Sequence, residues 1–164
     1  MAHRFQSTEV ELFEFLLEDE FRFKVPAMQV WQAMTNDIGK WWGAPFTLLS
    51  DASDVRLEPH IGGRFMEICG EHDGALLGLV TELVTGRMMR IRILRPRAGI
   101  FPHEVSFTLE HANDAETVLK LRHESWLKRG EQAEISKHSI LTTWQTVLDE
   151  RLRHYLDSSH ASGT

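Results

Sequence analysis

His123 and Glu67 are the two side chains whose type and position could support acid–base chemistry inside an apolar space. His123 shares a predicted strand face with Leu119 and Leu121, so its imidazole would point wherever those leucines point. An ordinary histidine pKa of about 6.5 suits a general acid or base, and also a hydrogen bond to a ligand. The competing interpretation, a core histidine bonded to a neighbouring group, is favoured.

The direction of Glu67 stays open on the sequence. It shares one strand face with Phe65 and Cys69, but Met66 and Ile68 make the opposite face nearly as apolar. If Phe65 points into an apolar space, a carboxylate enters that space with it. Cys69 has no basic neighbour in sequence, and we interpret it as a small buried hydrophobe.

Aromatic and aliphatic side chains could form the walls of an apolar ligand site. Four of the five tryptophans fall in segments that are predicted to be helical or to border one space. Plain core packing explains the same pattern equally well, because ligand pockets are themselves mostly apolar. The candidate ligand-binding residues are Trp31, Trp41, Trp42, Phe65, Met89, Ile91, Phe107, His123, Trp144 and Leu148.

Motifs for metals, nucleotides and hydrolytic triads are missing from the sequence. The nine histidines are scattered, and no His-x-x-x-His or Cys-x-x-Cys pair has metal-ligand spacing. Walker, dinucleotide and Gly-x-Ser-x-Gly fingerprints do not occur either. We therefore expect no metal and no cofactor.

Length and charge narrow the class of protein. The chain has 164 residues, enough for one domain with a sizeable core, and a net charge of −6 without a basic stripe. This balance argues against binding to nucleic acid or to an anionic membrane surface. No apolar run approaches the roughly 20 residues of a spanning helix. A single cysteine and an N-terminus without a signal-peptide pattern lead us to expect a cytoplasmic protein.

Short elements are predicted near the start of the chain. Phe21, Phe23 and Val25 alternate with charged residues, which predicts a strand, and Pro26 ends it. Residues 36–42 are typical of a second short helix or a turn, while residues 8–18 fit a capped helix and a strand equally well. The first helix carries its apolar face on Ala27, Val30, Trp31 and Met34.

The middle and the end of the chain differ in the spacing of their apolar residues. Alternating segments with turn signals between them predict an antiparallel meander with strands near 55–57, 64–69, 76–84, 89–94, 105–110 and 117–124. From about Ser139, apolar residues recur at steps of three and four, which predicts a long amphipathic helix.

This order of elements indicates an α+β fold. One face of an antiparallel sheet needs a cover, and the C-terminal helix has an apolar stripe of matching length. We predict a curved antiparallel sheet that wraps around the long C-terminal helix, with two short helices after the first strand and a cavity between sheet and helix.

Several short motifs then identify a family resemblance. Residues 25–35 resemble an "AP…VW.A.T" opening, residues 40–43 a "WWG" step, residues 61–65 a "GGRF" strand start and residues 78–83 a "G.V.E" strand. Residues 119–125 and Trp144 fit the last strand and the terminal helix. Together they resemble the START-like (SRPBCC) superfamily, the birch-pollen-allergen-like helix-grip fold, and within it the subfamily of the activator of heat-shock protein 90 ATPase.

The resemblance implies one START-like domain over residues 1–164, with a core at about 20–156, an N-terminal extension at 1–19 and a loose tail at 158–164. In one departure, the family's terminal "GW" reads Thr143-Trp144. Relatives of this kind include ligand carriers, cyclase-like enzymes and co-chaperone domains, so the fold does not decide the function.

Three functions follow from these observations. In the first, the cavity binds a small hydrophobic or amphipathic molecule. In the second, the protein is a cyclase- or hydratase-like enzyme with His123 as general acid or base and Glu67 as a second candidate group. In the third, it is a co-chaperone-like interaction module, with residues 12–17 as the contact segment and a homodimer as its milder form.

Overall fold

Alternating apolar and polar residues build one seven-stranded antiparallel sheet. The computed structural model describes residues 9–94 and 103–161, so the predicted loop around Pro96, Gly99 and Pro102 lies outside the described residues. The strands follow the order β1-β7-β6-β5-β4-β3-β2 across the sheet. They are β1 (Leu12–Phe23), β2 (Asp54–Leu57), β3 (Arg64–Cys69), β4 (Asp73–Val84), β5 (Met88–Ile93), β6 (His103–Asn113) and β7 (Glu116–Lys128).

The segment that the sequence left open between helix and strand belongs to β1. Its whole length pairs with β7, from Leu12 opposite Lys128 to Phe23 opposite Thr117. Phe21 and Phe23 are buried on the inner face of the sheet. Much of the segment predicted as an N-terminal extension is therefore an edge strand of the sheet.

A short helical region follows β1 and closes one end of the sheet. Helix α1 (Ala27–Met34) begins directly after Pro26, whose fixed φ suits a helix start. A 3-10 turn over Ile38–Lys40 takes the place of the predicted second short helix. The indole N–H of Trp41 donates to the Ala33 carbonyl at 2.8 Å, which holds this turn against α1.

The C-terminal helix covers the inner face of the sheet. It runs through α2 (Gln132–Trp144), a π-helical segment (Gln145–Leu152) and α3 (Arg153–Ala161) without a break. The predicted start near Ser139 was wrong, because the helix begins at Gln132. Its first two turns are polar and Ile135 is 62% exposed, so no apolar stripe marked them in the sequence.

The core lies between this helix and the sheet. The buried side chains of the π segment and α3 pack against the inner faces of the strands, whereas the outer face carries ion pairs such as Arg122 with Glu18 at 2.6 Å. From the helix, the core takes Val147, Leu148, Leu152 and Leu156.

At the chain end, α3 continues to Ala161, so the described part of the predicted loose tail is helical. Residues 162–164 lie outside the described residues. Within residues 9–94 and 103–161, no helix combines the length and the apolar character that crossing a membrane requires.

One buried hydroxyl ties the start of β7 to the chain that follows β1, and we expect its removal to be costly. Thr117 is 0% exposed and donates to the Val25 carbonyl at 2.7 Å. In Thr117→Val this carbonyl loses its donor, so the free energy of unfolding should fall by about 1–3 kcal/mol.

Urea unfolding followed by circular dichroism measures this loss. Thr81→Val is the matched control, because Thr81 is exposed and its hydroxyl lies 3.4 Å from the Arg90 carbonyl. The control should change stability by less than about 0.5 kcal/mol. Equal losses in the two variants would contradict the role of the Thr117 hydrogen bond.

Candidate functional site

An apolar cavity of about 140 Å³ lies between the inner face of the sheet and α2. Strands β3 to β7 contribute its floor, and α2 and the loop after Trp42 contribute its walls. The lining residues are Trp42, Phe46, Leu48, Phe65, Glu67, Leu77, Ile93, His103, Val105, His123, Ser139, Ile140, Thr143 and Trp144. We call this space the sheet–helix cavity.

Aromatic rings meet edge to face around Trp144. Its ring centroid lies 6.0 Å from that of Trp42 and 5.7 Å from that of Phe107, at interplanar angles of 75°. Trp42 in turn meets Phe65 at 5.6 Å and 83°. These T-shaped contacts place ring edges against ring faces, the arrangement that aromatic quadrupoles favour.

A second space of about 30 Å³ adjoins the sheet–helix cavity and shares the side chains of Trp42, Phe65, Ile93, Val105 and Trp144 with it. It has room for roughly one water molecule, and its lining is almost wholly apolar. The aromatic cluster is therefore packed nearly solid on this side, and the usable space lies toward His123.

His123 lies at the inner end of the sheet–helix cavity and is 4% exposed. The indole N–H of Trp144 donates to His123 Nδ1 at 2.8 Å. Because Nδ1 accepts this hydrogen bond, the proton of the neutral ring belongs on Nε2. Within the described part of the chain, Nε2 is buried and has no hydrogen-bond partner.

Burial keeps His123 uncharged. Desolvation, with a smaller contribution from the neighbouring His103, lowers the pKa of His123 from 6.5 to about 3. The two imidazole rings stack with centroids 4.6 Å apart. At neutral pH, His123 is a neutral hydrogen-bond donor, so it has no proton to give as an imidazolium and is a weak base.

Glu67 points inward and is 1% exposed, which answers the question that the sequence left open. Its Oε1 accepts the backbone N–H of Leu48 at 2.7 Å, and its Oε2 accepts that of Leu49 at 2.9 Å. Two charge-assisted hydrogen bonds offset part of the cost of burying the carboxylate. Glu67 thereby fixes the loop of residues 43–53, which we call the cavity loop.

The C-terminal helix holds the other end of the cavity loop. The Arg151 guanidinium donates to the carbonyls of Gly43 at 3.0 Å and Ala44 at 2.6 Å, and lies 4.8 Å from the centroid of the Phe46 ring. The Trp42 indole donates to the Phe46 carbonyl at 3.2 Å. Sheet, helix and cavity loop are thus linked around one space.

The structure divides most of the predicted site residues between the two adjoining apolar spaces. Trp42, Phe65, His123 and Trp144 line the sheet–helix cavity together with Glu67. Trp31 is buried but lines neither apolar space. The remaining predicted wall residues line the smaller adjoining space, namely Trp41, Met89, Ile91, Phe107 and Leu148.

Other lining residues were not singled out by the sequence. Phe46 and Leu48 belong to the aperiodic cavity loop, and Ser139 and Thr143 are small polar residues on a helix face. His103 gave no signal because its stacking on His123 depends on the pairing of β6 with β7. Cys69 is only partly buried; its thiol lies 3.6 Å from Asp51 Oδ1, and burial raises its pKa.

A larger groove of about 680 Å³ lies on the outer face of the sheet, but its chemistry is that of a solvated surface. Several of its charged side chains form ion pairs, as Arg122 does with Glu18 and Lys120 with Glu20. In the described part of the chain, no group of three or more His, Cys, Asp or Glu residues is placed to hold a metal ion.

Comparisons with known proteins agree with this architecture. A sequence model of the family described as "Activator of Hsp90 ATPase homolog 1-like protein" matches residues 24–157. No curated protein matches the sequence. A Staphylococcus aureus protein of unknown function is 15% identical with a TM-score of 0.71, covering 92% of this chain and 98% of its own.

Two further solved structures show the same fold. An uncharacterized protein from Rhizobium leguminosarum is 17% identical with a TM-score of 0.69, covering 92% of this chain and 99% of its own. Norcoclaurine synthase from Thalictrum flavum, in complex with dopamine and hydroxybenzaldehyde, is 10% identical with a TM-score of 0.61, covering 96% and 98%. At these identities the likeness concerns the fold alone.

The neutral state of His123 predicts acid sensitivity. Between pH 6.5 and about 3, the unfolded chain binds a proton that native His123 does not, so stability falls as the pH falls. Between pH 7.5 and 4.5 this single group should cost about 2 to 3 kcal/mol of unfolding free energy. His123→Gln keeps an acceptor for Trp144 and should remove this part of the pH dependence.

Urea unfolding at several pH values measures the difference between the wild type and His123→Gln, in which the other titrating groups cancel. His154→Gln is the control, since His154 is exposed on α3 and should keep the wild-type slope. Parallel pH profiles for wild type and His123→Gln would contradict a buried neutral imidazole.

The hold of Glu67 on the cavity loop is testable by hydrogen exchange. Glu67→Gln replaces one acceptor oxygen by an NH₂ group that faces a backbone N–H, so one hydrogen bond is lost and the other weakened. The amides of Leu48 and Leu49 should exchange about tenfold faster. In the exposed control Glu82→Gln these amides should exchange at the wild-type rate, and unchanged protection in Glu67→Gln would contradict the assignment.

Proposed function

Because the chain belongs to the activator of Hsp90 ATPase homolog 1-like family, we propose that it binds a small apolar or amphipathic molecule in the sheet–helix cavity. The observation that carries this proposal is an apolar space lined by His123, whose buried Nε2 lacks a partner among the described residues. Ligand sites typically combine apolar walls with a few placed polar groups.

The apolar lining favours an occupant. A ligand that covers this lining removes apolar surface from water, which is favourable by about 25 cal/mol per Å². The links from Glu67 and Arg151 to the cavity loop keep the walls in place without filling the space with side chains.

A cyclase- or hydratase-like activity ranks second. The cavity contains two candidate acid–base groups, but His123 is held neutral by burial, and both oxygens of Glu67 accept backbone N–H groups. His123 is therefore uncharged near neutral pH, and the Glu67 oxygens are already engaged by the cavity loop. The likeness to norcoclaurine synthase supplies a fold and no catalytic residue for this chain.

A protein partner ranks third. Leu12, Leu16 and Trp126 are exposed, and the pairing of β1 with β7 brings them near one another at one side of the sheet. They form a small cluster of the kind that occurs on ordinary surfaces. A homodimer through this edge stays a prediction, which sedimentation at high protein concentration can check.

Native mass spectrometry of the gently purified protein tests the binding proposal, with denaturing extraction to identify what is released. We expect a stoichiometric small molecule or, after its removal, uptake of one small aromatic compound per chain. Ile140→Phe should block uptake at least tenfold, because Ile140 is 5% exposed and lines the cavity.

The matched control is Ile135→Phe, the same substitution at an exposed position of the same helix, and it should bind as the wild type does. Thermal unfolding of both variants separates loss of binding from loss of fold. If Ile140→Phe is folded and binds as tightly as Ile135→Phe, the ligand site lies elsewhere.

A further inference from the structure

The buried Nε2–H of His123 calls for a partner that the described protein residues do not provide. Its other ring nitrogen is occupied by the Trp144 indole, which fixes Nε2 as the donor. Buried donors are almost always hydrogen-bonded in native proteins, so an unpaired one on a residue that lines a cavity indicates a partner from outside the chain, either a water molecule or a ligand.

We propose that the sheet–helix cavity takes an uncharged molecule about the size of one aromatic ring, whose oxygen or nitrogen acceptor binds the Nε2–H of His123. This inference rests on the proposed function and adds the chemical class of the ligand. An aryl ketone, an aryl aldehyde or a phenol ether has the required acceptor; a plain hydrocarbon does not.

The charges around the cavity select a neutral ligand. None of the described lining residues is Lys or Arg, and the Glu67 carboxylate is itself among them. An anion there would lose hydration and lie in the same space as another carboxylate, while the Arg151 guanidinium at the cavity edge is already bonded to the Gly43 and Ala44 carbonyls. Fatty acids and aromatic acids are therefore disfavoured.

The walls select a flat ligand. Trp42, Phe65 and Trp144 already meet edge to face, and a further ring can extend this arrangement toward His123. The 140 Å³ of this cavity is close to the volume of about 150 Å³ that holds a benzene-sized molecule. A long acyl or polyketide chain would leave most of its length outside the cavity.

Three probes of equal heavy-atom count separate these requirements. Acetophenone is flat and neutral and carries an acceptor; α-methylstyrene replaces its carbonyl oxygen by a CH₂ group; benzoate is an anion of the same size. Titrations followed by ¹H–¹⁵N NMR should show binding in the order acetophenone, α-methylstyrene, benzoate, with benzoate at least tenfold weaker than acetophenone.

A variant cycle isolates the contribution of His123. The ratio of acetophenone to α-methylstyrene affinity cancels much of the difference in hydrophobicity between proteins. We expect this ratio to fall about tenfold in His123→Leu, which lacks the donor, and to recover partly in His123→Gln, whose amide can donate. Thr143→Val is the matched control, since it removes another polar group of the cavity lining and should keep the ratio.

The wild-type imidazole gives a second measurement that does not depend on any variant folding. Its ¹⁵N spectrum should show a protonated Nε2, and acetophenone but not α-methylstyrene should move the Nε2–H resonance downfield. An Nδ1–H tautomer, or equal responses to both probes, would overturn the proposal.

The outcomes distinguish failure of the proposed binding function from failure of the proposed ligand chemistry. If none of the probes binds and no small molecule copurifies, the proposed function itself fails. If acetophenone and α-methylstyrene bind with a ratio that His123→Leu leaves unchanged, the cavity binds ligands but the His123 anchor is wrong. If benzoate binds as tightly as acetophenone, the selection of neutral ligands is wrong.

Discussion

The hydrogen bond from the Trp144 indole to His123 Nδ1 organises the centre of this protein. It joins the partly buried Trp144 of the C-terminal helix to the buried His123 of β7. It also keeps the Trp144 ring among Trp42 and Phe107, which leaves space beside the aromatic cluster. The same bond decides the chemistry of His123, because an imidazole that accepts at Nδ1 must present a proton at Nε2. This one contact thus holds the helix against β7, bounds the cavity and makes Nε2 of His123 a hydrogen-bond donor.

Glu67 and Arg151 have a complementary role at the edge of the cavity. The carboxylate holds the backbone amides of Leu48 and Leu49, and the guanidinium holds the carbonyls of Gly43 and Ala44. Each charge finds its partners in peptide groups of the cavity loop, which satisfies it without filling the space. Glu67 and Arg151 therefore hold the loop at the edge of the cavity, and Glu67 also places a carboxylate in the cavity lining.

Much of the fold could be predicted from the sequence because the buried residues recur with the spacing of a strand or a helix. Strand β3 was located at its observed bounds, and the inward direction of His123 followed from Leu119 and Leu121, which are buried with it. The direction of Glu67 could not be predicted, since its burial depends on amides of a loop that lacks periodicity. For the same reason, the early turns of α2 and the lining residues Phe46 and His103 became visible only in three dimensions.

The pairing of β1 with β7 has a consequence for how the chain is made. The strand that leaves the ribosome early is hydrogen-bonded in the native sheet to the strand that emerges last before the helix. Strands β2 to β6 pair with strands that are close in sequence. Strand β1 stays unpaired, with Phe21 and Phe23 uncovered, until residues 116–128 have been synthesised. Such non-local closure slows folding and exposes apolar surface meanwhile. Nascent chains of this protein are thus most vulnerable to aggregation late in translation, shortly before the last strand arrives.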